Sequence, residues 1–278
     1  IAACGYSLLA CYGAASALAI IAAVGSVIGM THIPFFYSRA LWYFVAVFIP
    51  FLLAGLFFAE VYRQFPGLSA RVYGADLIGA ACGSILAIAL LDRWGGIGGS
   101  LLLAVLAAAG ACLLALQAES RRRLTIAVSM AVLALTAALA VLQVSGRLAA
   151  DMPRDLNPDK EIYDAIHGPW GGVIAETRWS AFGRTELISY ADNPEHRDIY
   201  IDGTAGTPMY RFSGDFTDPG QAVQRLYADF PGAFPFRFLD SGQRGHALII
   251  GPGGGRDVLL AAGAGFAGVA LRRNGGAD

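Results

Sequence analysis

The chain is poor in charge, poor in lysine and poor in metal-binding side chains. Only 15 % of its 278 residues are charged and the formal net charge is −1, so neither nucleic acid nor an anionic surface is expected as a partner. Lys160 is the one lysine among 20 basic residues, a bias that reads as coding composition rather than chemistry. Cys4, Cys11, Cys82 and Cys112 all lie in apolar stretches, and none stands in a CxxC spacing. That supports neither a zinc site nor a disulfide framework. The cysteines read as small apolar residues, and no metal is expected. Ile1 opens an apolar stretch too long for a signal-peptide core, and the N-terminus reads as cut.

What is present is hydrophobic length. The chain is 56 % hydrophobic, with a mean hydropathy of +0.54, beyond the range of an ordinary soluble domain. The excess sits in residues 1–145, which predict about five membrane spans: Tyr6–Met30, Leu41–Tyr62, Tyr73–Leu91, Ile97–Gln117 and Thr125–Val144. Each is near the roughly 20 residues needed to cross the hydrocarbon core. Thr31-His-Ile-Pro34, Arg63-Gln-Phe-Pro-Gly67, Asp92-Arg-Trp-Gly-Gly96 and Arg121-Arg-Arg123 separate them. His32, in the first break, is assigned nothing. Ala75, Gly79, Gly83 and Ala87 form a small-residue stripe that reads first as a helix-contact face; a transport pathway is the alternative. Asp76 reads as a carboxylate in the first turn of its helix with Arg71 as a partner, or as a cation relay.

Arginine placement leaves orientation open. Arg63, Arg71, Arg121, Arg122 and Arg123 fall on one side; Arg39, Arg93, Arg147, Arg154 and Lys160 fall on the other. The short loops alone would put the polar half outside the cell.

Residues 146–245 read as a connector, with Pro153 and Pro158, followed by a β-hairpin subdomain. Val173–Thr177 pairs with Arg184–Tyr190 around Trp179–Gly183, and Asp198–Ile201 pairs with Thr207–Phe212 around Asp202–Gly206. Trp179 and Phe182 read as hairpin packing before substrate stacking, and Asp202 as a turn residue before a catalytic base. Asp218 and Pro219 open a helix as N-cap and first residue, ending near Phe230-Pro231. Residues 246–278 begin an α/β domain. Ala247–Ile250 reads as a buried strand, Gly251, Gly253, Gly254 and Gly255 as a tight turn, and Asp257 as a helix start. That order lets backbone N–H groups approach a nucleotide or nucleoside-like cofactor. The expected fold is an α-helical membrane bundle, a small β subdomain and the start of a Rossmann-like, methyltransferase-type domain. A doubly wound sheet needs more strand–helix units than follow Leu260, so the chain is expected to be a fragment.

The runs Glu176-Thr-Arg-Trp-Ser-Ala-Phe-Gly-Arg-Thr185, Tyr200-Ile-Asp-Gly-Thr-Ala-Gly-Thr-Pro-Met-Tyr210 and Ile249-Ile-Gly-Pro-Gly-Gly-Gly-Arg-Asp-Val258, with Tyr73-Gly-Ala-Asp-Leu-Ile-Gly-Ala-Ala-Cys-Gly83, resemble the membrane-attached spermidine synthase-like proteins of bacteria. The resemblance implies a transferase of the polyamine aminopropyltransferase type in the bacterial inner membrane, with a cytoplasmic polar half. Decarboxylated S-adenosylmethionine, or S-adenosylmethionine itself, would be the donor and an amine or polyamine the acceptor. Gly251, Gly253, Gly254, Gly255 and Asp257 would line the donor. Three positions depart from the family pattern. No acid stands in Val269–Asn274 to bind the ribose, Gly206 stands where a glutamine is expected, and Gln224–Asp229 lacks the Tyr-His-Glu motif. The acid loop that would activate the amine lies past residue 278, so no catalytic residue is assigned and the chain alone is expected to be inactive. A methyltransferase on another substrate, and a membrane transporter or sensor that only binds a ligand, are the alternatives. An oligomer is open.

Overall fold

The computed structural model describes residues 2–29, 36–148 and 160–272. Thr31–Pro34 with His32, the connector prolines Pro153 and Pro158, and the tail after Arg272 lie outside them. The chain is mostly helical, at 65 %. Its contacts divide it into two compact units, one built on the apolar helices and the other holding residues 160–178 and 183–272.

Four helices among the described residues are long and apolar enough to cross a membrane: α1 (Ala2–Gly29), α2 (Phe36–Gln64), α3 (Ser69–Leu116) and α4 (Arg122–Val144). The third and fourth of the five expected spans fall together within α3, on either side of a kink at Gly95. No extended loop separates them: two helical stretches meet at Gly95, inside the expected Asp92–Gly96 break, where the backbone leaves helical geometry with φ 66° and ψ −176°. Unkinked, the 48 residues of α3 would extend about 72 Å, more than twice the roughly 30 Å hydrocarbon core. A glycine in a left-handed conformation at its middle is where such a length can change direction.

The packing seam also differs from the expected one. Gly79 and Gly83 face open space, since a Cβ built on either would meet nothing within 4 Å, and no ion pair joins Asp76 to Arg71 among the described residues. Asp76 stands two turns inside α3, beyond the first turn where the helix dipole favours a carboxylate. The contact lies instead in the second half of α3, where Ala104, Ala108, Ala111 and Ala115 are buried. Ala14 and Ala17 of α1 meet Ala108 and Ala111, with Val132 of α4 alongside. α4 turns the same kind of face inward: Thr125, Ser129, Val132, Thr136 and Ala140 are buried. The threonine hydroxyls cost little there, because Thr136 donates to the Leu133 carbonyl at 3.0 Å and Thr125 to the Arg121 carbonyl at 3.3 Å.

In the second unit, a short helix α5 (Glu161–His167) precedes a four-stranded sheet in the order β1 (Val173–Ser180), β2 (Gly183–Ser189), β3 (His196–Ile201), β4 (Thr207–Tyr210). The β3–β4 pair is antiparallel, as the turn residues predict, and β2 pairs with β3 antiparallel as well, which joins the two expected hairpins into one sheet. α5 was not legible in advance. Its Ile162 is buried with Ile188, Tyr190 and Tyr200 of the sheet, and Ala165 and Ile166 pack against them. Asp202 is a turn residue: its φ is 51° and its Oδ1 accepts from the Arg184 N–H at 3.0 Å. Phe182 is exposed rather than packed.

Helix α6 (Gly220–Asp229) is capped by Pro219, without a side-chain cap from Asp218. After two 3₁₀ turns come β5 (His246–Ile250), α7 (Arg256–Gly263) and β6 (Gly268–Arg272). β6 pairs with β5 in parallel, from His246 opposite Gly268 to Ile250 opposite Arg272. The Arg244 guanidinium fastens this unit to the preceding turns by donating to the Phe236, Leu239 and Ala264 carbonyls at 3.1, 3.1 and 2.9 Å.

The seam between α1 and α3 makes a direct prediction. A Cβ on Gly13 would lie 3.1 Å from the Ala111 Cβ, whereas one on Gly25 of the same helix would meet nothing. Gly13→Leu should lower stability by about 1–3 kcal/mol through overpacking, and Gly25→Leu should not. Thermal melts of both variants in detergent check this.

Candidate functional site

The glycine turn stands where the sequence places it, at the carboxyl end of a parallel strand and before a helix. Gly251, Gly253 and Gly255 have φ of 68°, 53° and 90°, a region that L side chains avoid. Gly255 is the residue before α7, and a Cβ there would meet open space. Gly253 and Gly254 have a role inside the fold. A Cβ on Gly253 would lie 2.9 Å from the Thr207 Oγ1, and one on Gly254 would collide with the Pro208 carbonyl oxygen. Here glycine lets the turn approach the backbone of β4.

Several of the turn's N–H groups are already engaged. Gly251 N–H donates to the Arg272 carbonyl at 3.0 Å, Gly255 N–H to the Pro252 carbonyl at 2.9 Å, and Gly254 N–H to Thr207 Oγ1 at 3.2 Å. The first turn of α7 offers further donors, since its N–H groups have no acceptor within the helix. Asp257 lies in that turn, its side chain half exposed, with Arg256 Nε 3.5 Å from its Oδ1. The Arg256 guanidinium also lies 4.2 Å over the Phe230 ring. At the matching end of β6 stand Leu271 and Arg272, and neither offers a carboxylate.

A second concentration of chemistry was missed by the sequence reading. Trp170, Tyr190, Asn193, His196 and Asp198 line a pocket of about 230 Å³ at one end of the β-sheet. Asp198 Oδ2 accepts from the Tyr190 hydroxyl at 2.6 Å, and its Oδ1 accepts from His196 Nε2 at 3.2 Å. The rings form a continuous wall. Trp170 stands edge-on to Tyr190 at 6.2 Å, Tyr190 stacks on His196 at 5.9 Å, and His196 meets Tyr210 at 5.7 Å. Burial disfavours the charged form of Asp198, but the His196 and Tyr190 hydrogen bonds outweigh it and hold the carboxyl below its ordinary range. Burial and the same carboxylate push the Tyr190 hydroxyl far up, so it stays a donor.

The signal was present in outline. Tyr190, His196 and Asp198 flank the Asp192-Asn-Pro turn, and strand periodicity puts His196 and Asp198 on one face. No group of three or more metal-ligating side chains occurs among the described residues. Compared with known proteins, the chain matches no family model, no curated protein and no solved structure. The spermidine synthase-like resemblance therefore rests on the motifs alone.

Two predictions follow from these geometries. Gly254→Ala should separate the turn from β4, costing about 1–3 kcal/mol by overpacking and opening the Thr207–Met209 backbone to protease. Gly255→Ala should cost about 1–2 kcal/mol from its left-handed backbone alone and leave β4 protected. Thermal melts with limited proteolysis separate the two.

Asp198 has a folded-state pKa below its unfolded value, so its stabilisation is present above about pH 4 and is lost as pH falls through the folded pKa. Asp198→Asn should be the less stable protein at pH 7, with the gap closing toward pH 2. Melts of both proteins across that range test it.

Proposed function

We propose that the chain belongs to a multi-pass membrane protein whose second half binds an S-adenosylmethionine-type donor at the glycine turn. In the parent, that donor would be decarboxylated S-adenosylmethionine and the acceptor an amine or polyamine. The observation that carries the reading is the parallel β5–α7–β6 unit, with left-handed glycines at the strand's carboxyl end and at the helix N-terminus. Ligands of open α/β sheets bind at that crevice, and the N-terminal helix turn favours polar and anionic groups. Leu248, Ile250 and Leu271 are exposed apolar residues on the two strands. That pattern suits a parallel sheet covered on both faces.

The residues present fit such a donor in one place. The open space over Gly255 admits a group that any side chain would exclude. Gly255 and the first turn of α7 would hold the donor, and Asp257 would stand beside it. The donor itself supplies a sulfonium leaving group. The chain's own contribution is to orient it through backbone donors, since reaction depends on bringing sulfonium and amine into line. One observation favours a ligand sensor as a second reading: Leu271 and Arg272 end β6 where a ribose-binding acid would be needed for tight binding.

A charged hydrogen bond is worth about 1.5–3 kcal/mol, so the missing acid should weaken donor binding on the order of tenfold to a hundredfold. Calorimetry on the whole chain in detergent, with S-adenosylmethionine and its decarboxylated form, should show weak saturable binding that Gly255→Val removes. Binding that survives Gly255→Val would place the donor elsewhere. Absence of saturable binding at millimolar donor would remove the reading.

A further inference from the structure

We propose that the pocket lined by Trp170, Tyr190, Asn193, His196 and Asp198 binds a quaternary ammonium group. The inference is independent of the glycine turn and of the donor reading above. The pocket holds one carboxylate, and neither arginine nor lysine is among the residues that line it. Asp198 is a largely buried anion, its side chain 17 % exposed. A fixed negative charge with little water around it attracts a cation more strongly than one on the surface does.

The hydrogen bonds decide which cation. Both carboxylate oxygens already accept a bond, from Tyr190 and from His196. A primary ammonium or a guanidinium needs several directed acceptors when it leaves water, and here it would compete with donors already in place. A quaternary ammonium has no N–H to satisfy. It needs a negative field and polarisable ring faces, and aromatic walls supply the second. Trp170 and Tyr190 line the pocket together with the carboxylate, and a volume of about 230 Å³ admits a trimethylammonium head with a short stem. Trp170 is 59 % exposed, so it stands at the mouth rather than in the core.

A trimethylammonium head can come from free choline or from the headgroup of a choline phospholipid. The experiment uses the whole chain in detergent and reads binding by calorimetry with tetramethylammonium, choline, ammonium and methylguanidinium chlorides. Tetramethylammonium and choline should bind saturably and at least about tenfold more tightly than the other two. Asp198→Asn should lose that binding. Trp170→Ala, at an exposed position where folding is not at stake, should weaken it about threefold to tenfold. Gly255→Val should leave it unchanged, which separates this site from the glycine turn. Competition of choline by vesicles of a choline lipid, and not of a glycerol lipid, would assign the headgroup as the source; failure to compete would assign the free cation. Equal binding of ammonium, or choline binding that both Asp198→Asn and Trp170→Ala leave intact, would overturn the proposal.

Discussion

In hydrocarbon, two helices gain nothing by hiding apolar surface from one another, because lipid tails are as apolar as leucine. They hold together only where their backbones come close enough for dispersion to count. That constraint explains the first unit. α1 and α3 meet at Ala14, Ala17, Ala108 and Ala111, while a second cluster buries Ile97 and Leu101 with Ile21, Val24 and Ile28 packed against them, and many other large side chains face outward. Leu8, Leu18, Leu103, Leu106 and Leu113 are all exposed. Small residues thus form one stretch of the seam, Ile97 and Leu101 fill another, and much of the remaining bulk meets the surroundings. α4 joins with Thr125 and Thr136, whose hydroxyls bond back to their own helix.

The second unit reaches close approach by a different route. A two-stranded parallel sheet has little stability of its own, so β5 and β6 depend on what they lean against. Leu226, Ala233 and Leu260 form a buried cluster against which Tyr210, Tyr227 and Phe230 pack. The Tyr227 hydroxyl donates to the Leu259 carbonyl, and the Gly253–Gly254 backbone rests on Thr207 and Pro208. Two of the four glycines are thus needed for packing before any ligand is considered. A glycine run after a strand marks close approach of backbone to something. In this chain part of that something is β4.

Legibility followed the range of the interaction that fixes each feature. The hairpins could be read because alternation and turn residues act over a few positions, and the strand–turn–helix at Ala247–Leu260 for the same reason. α5 escaped because its apolar triad, Ile162, Ala165 and Ile166, lies in a seven-residue helix directly after a proline-bearing connector. The membrane seam was placed in the wrong half of α3 because small residues at four-residue spacing occur in both halves. Sequence spacing describes a face but not which neighbour it meets. Only the placement of α1 distinguishes Ala104–Ala115 from Ala75–Ala87. Asp76 and Arg71 share a helix, yet proximity in sequence does not make them a pair. The aromatic pocket was least legible, since Trp170 and Asn193 reach it from separate loops.

One face of the β-sheet carries more polar chemistry than its burial would lead one to expect. Arg184, Glu186 and Ile188 of β2 and Tyr190 just past its end are all buried, at the two-residue period that turns them to the same side. Arg184 and Glu186 form an ion pair at 2.7 Å, with side chains 9 % and 4 % exposed. A pair so enclosed is weak evidence of stabilisation, because desolvation offsets most of the attraction. Its value lies in register. A slip of one residue between β2 and β3 would turn Arg184 and Glu186 out of the interior and put Thr185 and Leu187 in their place. It would also carry Tyr190 away from Asp198. The same register that buries the ion pair at one end of the strand brings hydroxyl, imidazole and carboxylate together at the other. The pocket's geometry is therefore fixed by the pairing of the sheet as a whole, with α5 holding Ile188, Tyr190 and Tyr200 in place behind it.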